Sequence, residues 1–424
     1  MSTASVRPAR AAAYTRRTTC RACGGERLHG FLALGPTPLA NSLLRDASEF
    51  AAEASYPLDV YFCESCSLVQ LLDVVDPEVL FRDYIYVTGT SETIARHNVE
   101  YARTVVDLTG ATPDDLVVEV ASNDGSLLSR FAQLGVRSLG VEPATNIARL
   151  ARERGLETVN EFFDRRTAAA LRQRYGAARA VIGNNVLAHV DDPRDFLAGF
   201  RDLLDDRGLA IVEVPYLGEL VDRLEYDTVY HEHLCYFSVA ALARLYERAG
   251  LSIVRIDRVP VHGGSLRVYA ASDERVRAHA PEVVAMIAAE RAAGLHELAT
   301  YRQLAAGVEE NRRALRALLA RLRADGRTVA GYGAPAKGNT LLNYCGITVD
   351  DLPYTVDRSP LKVGRYTPGA HIPVLPVETL LERQPDYLLI LAWNFADEII
   401  AQQDEYRRRG GQFIVPIPTP RVVS

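Results

Sequence analysis

A short apolar run at 116–120, Leu-Val-Val-Glu-Val, stands between the turn-forming Thr112-Pro113-Asp114-Asp115 and a second turn, Ala121-Ser122-Asn123-Asp124-Gly125. Such a run reads as a parallel strand buried on both faces. A helical pattern opens at Ser126-Leu127-Leu128. Strand, tight turn and helix make the first unit of a nucleotide-binding α/β sheet, with the ligand above the strand's carboxyl end. The same alternation predicts a helix over 92–108 and strands at 138–143 and 180–184. A helix from Asp192-Pro193, a strand at 209–215, a helix ending near Gly250 and a strand at 252–256 follow. From about 282 to 324 Ala, Arg and Glu dominate a helix-rich connector. At Gly326 a fresh α/β pattern starts, with strands at 328–332 and 354–356.

At 424 residues the chain is long enough for two or three domains with full-sized cores. Hydrophobic content of 48% and charged content of 24% are ordinary for a globular protein. A net charge of −6 argues against a nucleic-acid partner. No apolar run approaches the roughly 20 residues that span a bilayer. The N-terminus, with Arg7, Arg10, Arg16 and Arg17 among alanines, lacks the apolar stretch of a secretion signal. A cytoplasmic protein with a flexible arm over its first ~15 residues is expected, and no membrane partner. In a reducing compartment, six cysteines suit metal ligation or free thiols better than a disulfide framework.

The turn after the first strand narrows the choice of cofactor. It holds one glycine, flanked by Glu119 and Asp124. A dinucleotide pyrophosphate wants bare amides and is repelled by acids, whereas a cationic sulfonium ligand with an amino group suits them. S-adenosylmethionine is therefore expected here, held by Glu119, Ala121, Asn123 and Gly125. Glu142 ends the next strand about 20 residues past the turn, where an acid reaches ribose hydroxyls. Asn184 and Asn185 lie at the carboxyl end of a further strand and complete the expected set.

Four cysteines form two knuckles, Cys20-Arg21-Ala22-Cys23 and Cys63-Glu64-Ser65-Cys66. Two C-x-x-C pairs can give four thiolates to a tetrahedral zinc ion, with no open position for catalysis. Such a structural zinc lets a small lobe fold; the competing reading is buried thiols or a redox pair. Further on, the cluster 226–238 includes Tyr230, His231, Glu232 and His233, groups suited to acid–base work near neutral pH. Its histidines are two apart and so cannot form the zinc helix of an HExxH motif. Tyr84 and Tyr86 can line a pocket or serve as half-buried packing aromatics. His262-Gly263-Gly264-Ser265-Leu266-Arg267 suits close approach of backbone to a phosphate or sugar. A second turn, Gly331-x-Gly333-x-x-Ala336, fits the dinucleotide fingerprint, with Asp357 in the place of a ribose acid. Lys337 inside it equally suits the diphosphate of a sugar nucleotide, and a plain strand-to-helix junction is the third reading.

The paired knuckles, LVVEVASNDGSLL, YHEHLCYFS, HGGSLRVY and GYGAPAKGNTLLNY, in this order, resemble the nucleotide-sugar C-methyltransferases of bacterial deoxysugar pathways, over nearly the whole chain. The resemblance implies an α/β protein of three parts: a zinc lobe (1–83), a central Rossmann-like S-adenosylmethionine domain (84–280), and a helical connector with a second Rossmann-like domain (281–424). It implies a dTDP-linked 4-keto-deoxysugar substrate, methylated at a carbon beside the ketone, C3 or C5, in deoxysugar and antibiotic biosynthesis. It implies that Tyr230, Glu232 and His233 are active-site residues, with His233 the base, alongside Tyr84 or Tyr86. Substrate contacts are expected from Tyr86, His231, His262, Gly264, Ser265, Arg267, Tyr332 and Lys337, in a monomer or weak homo-oligomer. An NAD-dependent nucleotide-sugar oxidoreductase using the Gly331–Gly333 turn is the alternative.

Overall fold

The computed structural model describes residues 14–84, 92–260, 263–276 and 278–424. Tyr86 and His262 lie outside the described residues.

Every residue of the strand Leu116–Val120 is buried, because it is hydrogen-bonded on both edges by parallel neighbours, Arg137–Val141 and Ala178–Asn184. Alternation along the strand sends side chains to opposite faces. Val117 joins Ala180, Ile182 and Ile211 beneath Tyr101, Ala102 and Val105 of the helix Glu92–Thr109. Val118 and Val120 join Val181 and Val212 against the helices Arg165–Tyr175 and Pro193–Leu203. The sheet has seven strands in the order Leu251–Val259, Ser265–Ser272, Leu204–Pro215, Ala178–Asn184, Leu116–Val120, Arg137–Val141, Thr158–Val159. The first two are antiparallel to their neighbours and the rest are parallel. The helix after the cofactor turn is Leu128–Gln133, starting later than the pattern suggests. Ser126 Oγ donates to Asp124 Oδ1 at 2.6 Å and keeps that residue in the turn.

A second sheet runs Val374–Leu375, Thr355–Val356, Val329–Tyr332, Tyr387–Ile390, Gln412–Val415, Arg421–Val423. This is the 3-2-1-4-5-6 order of a dinucleotide-type fold, with only its last strand antiparallel. The stretch expected to be a helical connector divides in two. Pro281–Ala292 flanks the central sheet, and its Glu290 accepts from the N–H groups of Val239 and Ala240, where the helix Val239–Arg248 begins. Leu298–Ala324 instead runs between the zinc lobe and the second sheet, with Tyr301 tilted against Phe31 and Phe62.

The N-terminal lobe does not stand on a core of its own. Its sheet runs Leu28–Ala33, Asp59–Cys63, Val69–Leu71, and is completed by Cys235–Tyr236 from the loop that carries Tyr230 and His233. Arg21, between two of the cysteines, is fully buried and donates to Leu71 O at 2.5 Å and Leu234 O at 3.0 Å. The fold of the lobe and the shape of the histidine loop are therefore one structural problem.

Candidate active site

The cofactor turn is built around Glu142. Its Oε2 accepts from Asn123 N–H at 2.9 Å and its Oε1 from Ala144 N–H at 2.8 Å. Each oxygen keeps a further lone pair for a ligand hydroxyl. Burial raises the Glu142 carboxyl above its ordinary range, although the two amides pull it back. Asp124 is spent on Arg154, at 2.7 Å, leaving Glu119 as the acid that remains available. Glu119 Oε2 is buried and lacks a hydrogen-bond partner among the described residues. Burial, then the charges of Asp124 and Glu142, push Glu119 well up. Ala121 and Asn123 adopt φ of 55° and 50°, and Gly125 takes φ 75°. A Cβ on Gly125 would stand 2.2 Å from Leu156 Cδ1, so glycine is required for close packing as well. At the neighbouring strand end, Asn184 Oδ1 accepts from Tyr101 at 2.9 Å, and the buried Asn185 Oδ1 has no partner among the described residues. Orphaned acceptors at Glu119 and Asn185 fit a ligand that brings an ammonium and hydroxyl donors, as S-adenosylmethionine does.

The four cysteine sulfurs lie within 4.8 Å of one another. Cys20 and Cys66, and likewise Cys23 and Cys63, stand 3.6 Å apart. Tetrahedral zinc with Zn–S near 2.3 Å sets sulfurs about 3.8 Å apart, so the donor set and its spacing suit that ion.

The histidine loop lies between the zinc lobe and the strand ends of the central sheet. Leu234 N–H donates to Ala188 O at 2.7 Å, joining it to the loop after Asn184-Asn185. His233 Nδ1 bonds the Thr228 carbonyl at 2.8 Å, and a carbonyl only accepts, so Nδ1 carries the hydrogen. The lone pair is then on Nε2, where the Tyr230 hydroxyl donates at 2.8 Å. Glu232 accepts twice, from Tyr84 hydroxyl on Oε2 at 2.8 Å and from Asn41 Nδ2 on Oε1 at 2.7 Å. Burial pushes Glu232 up to about 7, against the opposing pull of those two donors. Tyr84 is in turn tied to the cofactor domain. Its N–H donates to Asn146 Oδ1 at 3.1 Å and its carbonyl accepts from Asn146 Nδ2 at 2.8 Å, in the helix that follows Glu142.

Sequence reasoning missed His189 and Asn41. His189 stacks between Phe81 and His233, with ring centroids 5.5 and 5.0 Å away. Burial lowers it to about 4, so it is neutral at physiological pH. Its only signal in the sequence was a histidine just beyond the asparagine pair.

The residues expected to contact the substrate have the following partners within the protein. His231 Nε2 lies 3.2 Å from both Tyr56 O and Pro57 O, fastening the loop to the zinc lobe. Arg267 is opposite Glu213 on the adjacent antiparallel strand and bonds it at 2.8 Å, with Tyr101 beneath the guanidinium. Gly264, at φ 124°, sits against Glu219, and Ser265 pairs in register with Pro215. Tyr332 is a core residue of the second sheet whose hydroxyl accepts from Gln403 at 3.3 Å. Lys337 lies over Trp393 and within electrostatic reach of Glu225 and Asp227. In the Gly331–Gly333 turn, Asp357 accepts from Ala334 N–H at 2.8 Å, and Lys362 Nζ bonds Ala334 O at 2.9 Å.

Comparison with known proteins agrees with this geometry. A methyltransferase domain family matches residues 95–256, a "Putative zinc binding domain" residues 20–81, and a C-methyltransferase C-terminal domain residues 260–418. The chain is 43% identical to the C-methyltransferase NovU of Streptomyces niveus, over 96% of each protein. Solved structures give weaker likenesses, on which nothing here rests. Magnesium protoporphyrin IX methyltransferase of Synechocystis with bound SAM is 16% identical, with TM-score 0.33, over 42% of this chain and 79% of that one. The CcbJ methyltransferase of Streptomyces caelestis is 18% identical, with TM-score 0.32, over 41% and 89%. Among the described residues no helix is long and apolar enough to cross a membrane. The NAD-dependent oxidoreductase alternative is thereby set aside: the chain belongs to the zinc-bearing, S-adenosylmethionine-dependent C-methyltransferase family.

Proposed function

We propose that this enzyme methylates a carbon beside the ketone of a dTDP-linked 4-keto-deoxysugar, at C3 or C5, through an enolate, in cytoplasmic deoxysugar and antibiotic biosynthesis. The observation that carries the reading is the Tyr230–His233 pair, with Nδ1 locked on Thr228 O and Nε2 basic. A hydrogen next to a ketone is acidic enough for a neutral imidazole to remove if the oxyanion is stabilised. When the Tyr230 hydroxyl turns from Nε2 to the ketone oxygen, it frees the base and supplies an oxyanion donor in one motion. His233 then takes the proton from carbon, and Tyr84 offers a second phenol held by Glu232. Glu119, Glu142 and Asn185 hold the cofactor, which supplies the methyl group as an electrophile. The stacked rings of Phe81 and His189 help exclude water around His233. Lys337, whose buried Nζ has no hydrogen-bond partner among the described residues, lies within electrostatic reach of Glu225 and Asp227, a mixed-charge setting that suits sugar hydroxyls better than a diphosphate. The test is incubation of the enzyme and S-adenosylmethionine with dTDP-4-keto-6-deoxyglucose or its 3-amino analogue, in deuterated solvent. A product heavier by one methylene, with no hydrogen left at the methylated carbon, is expected, and substrate recovered before methylation should carry deuterium at that same carbon. Methylation on oxygen or nitrogen, with no exchange at carbon, would overturn the reading.

A further inference from the structure

We propose that Asn41 of the zinc lobe, braced from the second sheet's domain by Asn339, is a positioning residue that dictates which oxygen of Glu232 can carry a proton. The proposal rests on the reading of Glu232 and Tyr84 as active-site residues. Asn41 Nδ2 donates to Glu232 Oε1 at 2.7 Å. The carbonyl just before it, Ala40 O, accepts from Asn339 Nδ2 at 2.7 Å. Asn339 is fully buried near the start of the helix Ala336–Cys345, so this anchor is dry. On the other side of Asn41, Leu43 N–H donates to Asn41 O at 3.0 Å, while the Leu43 side chain is buried with Ala334 and Val374. The segment 39–43 is thus clamped to the second sheet's domain while its amide reaches across to the catalytic loop.

The consequence follows from donor and acceptor inventory. An amide nitrogen can only donate, so Oε1 of Glu232 is reserved as an acceptor. A proton on Glu232 therefore resides on Oε2, the oxygen that shares the 2.8 Å bond with the Tyr84 hydroxyl. With Glu232 ionised, Tyr84 donates to it. With Glu232 protonated, Oε2–H donates to Tyr84, and the phenol's own hydrogen is released toward the substrate cleft. Among the described residues Tyr84 is the titratable group that bonds Glu232 from another segment, and Asn41 faces it from the zinc lobe as a neutral group. On its own loop His231 is turned to Tyr56 and Pro57, and His233 to Thr228 and Tyr230. Burial holds Glu232 near 7, so both states are populated under working conditions.

The experiment uses full-length, zinc-loaded protein with carbon-13-labelled glutamate. The Glu232 carboxyl is titrated by NMR and assigned with Glu232→Gln. Asn41→Ala should raise the Glu232 midpoint by about one pH unit, because a donor to the charged form is lost. Asn41→Asp should raise it further by adding a like charge, and Asn339→Ala should shift it the same way by less. The limb of the kcat–pH profile that reports Glu232 should move with the midpoint, while affinity for S-adenosylmethionine stays unchanged. An unmoved midpoint in Asn41→Ala, or a moved midpoint with a wild-type kcat profile, overturns the proposal. Should Asn41→Ala lose its zinc or its cooperative melting, Asn339→Ala decides by the same two readouts. The titration needs no substrate, so a keto-sugar that is not methylated counts against the proposed function while the midpoint readout still decides whether Asn41 acts on Glu232.

Discussion

Cofactor binding should expel a proton, and Glu119 should be its source. In the free protein burial, then the charges of Asp124 and Glu142, hold the Glu119 carboxyl well above its ordinary range, which favours its protonated form. A sulfonium and an ammonium arriving beside its orphaned Oε2 favour the carboxylate and lower its pKa. Between the bound-state and free-state pKa values, each ligand bound displaces one proton. Affinity therefore rises about tenfold per pH unit, roughly 1.4 kcal/mol, and levels off above the free-state pKa. The sign for stability runs the other way. A folded pKa raised above the unfolded one contributes stability that is present at low pH and is lost as pH rises through the folded value. Calorimetry with S-adenosylmethionine in phosphate and in Tris at about pH 7 should differ in enthalpy by about one proton's buffer ionisation. Glu119→Gln keeps the shape but cannot ionise. It should abolish that difference and weaken binding by about 1.5–3 kcal/mol, the scale of a hydrogen bond to a charged group. The ligand's own amine titrates in both proteins and cancels in the comparison. If Glu119→Gln binds with the same affinity and the same pH slope as the wild type, Glu119 does not meet the cofactor.

Metal analysis should find about one zinc per chain, lost in Cys63→Ser/Cys66→Ser together with soluble enzyme. His233→Ala should lower kcat about a hundredfold or more, the scale of losing a general base, and should lose solvent exchange at the substrate carbon while S-adenosylmethionine binds as before. If Tyr230→Phe abolishes exchange and His233→Ala keeps it, the phenol is the base. Arg21→Met should leave the buried Leu71 carbonyl short of a donor, at about 1–3 kcal/mol, while Leu234 O keeps the Leu71 N–H at 3.0 Å. That change should read as a melting point lowered by several degrees with the zinc retained, and an unchanged melting point would refute it.

What could be read from the sequence, and what could not, divides by how far each residue's partner lies along the chain. The place of Glu142 at a strand end was legible because the bonds that hold it, from Asn123 and Ala144, lie inside one strand–turn–helix–strand unit. The strand at 116–120 was legible because burial on both faces leaves an apolar run that needs no knowledge of its neighbours. The cysteines announced themselves by knuckle spacing, although their pairing spans the whole lobe. The partner of Arg267 was not legible because Gly-Gly-Ser-x-Arg has the local look of an anion loop. Its antiparallel register instead puts it opposite Glu213, and no window of sequence shows which strand lies alongside. His231 and His233 looked alike for the same reason. Two residues apart, they differ only in what surrounds them: two zinc-lobe carbonyls for one, Thr228 and Tyr230 for the other. Asn41 was invisible because its partner Glu232 is 191 residues away and an asparagine in a Pro-rich loop has a sufficient local explanation as a turn residue. The histidine loop completes the zinc lobe's sheet, and the zinc lobe returns a donor to that loop's glutamate. A site assembled across three modules in this way offers the sequence reader its acids and bases, but not the neutral groups that decide their protonation.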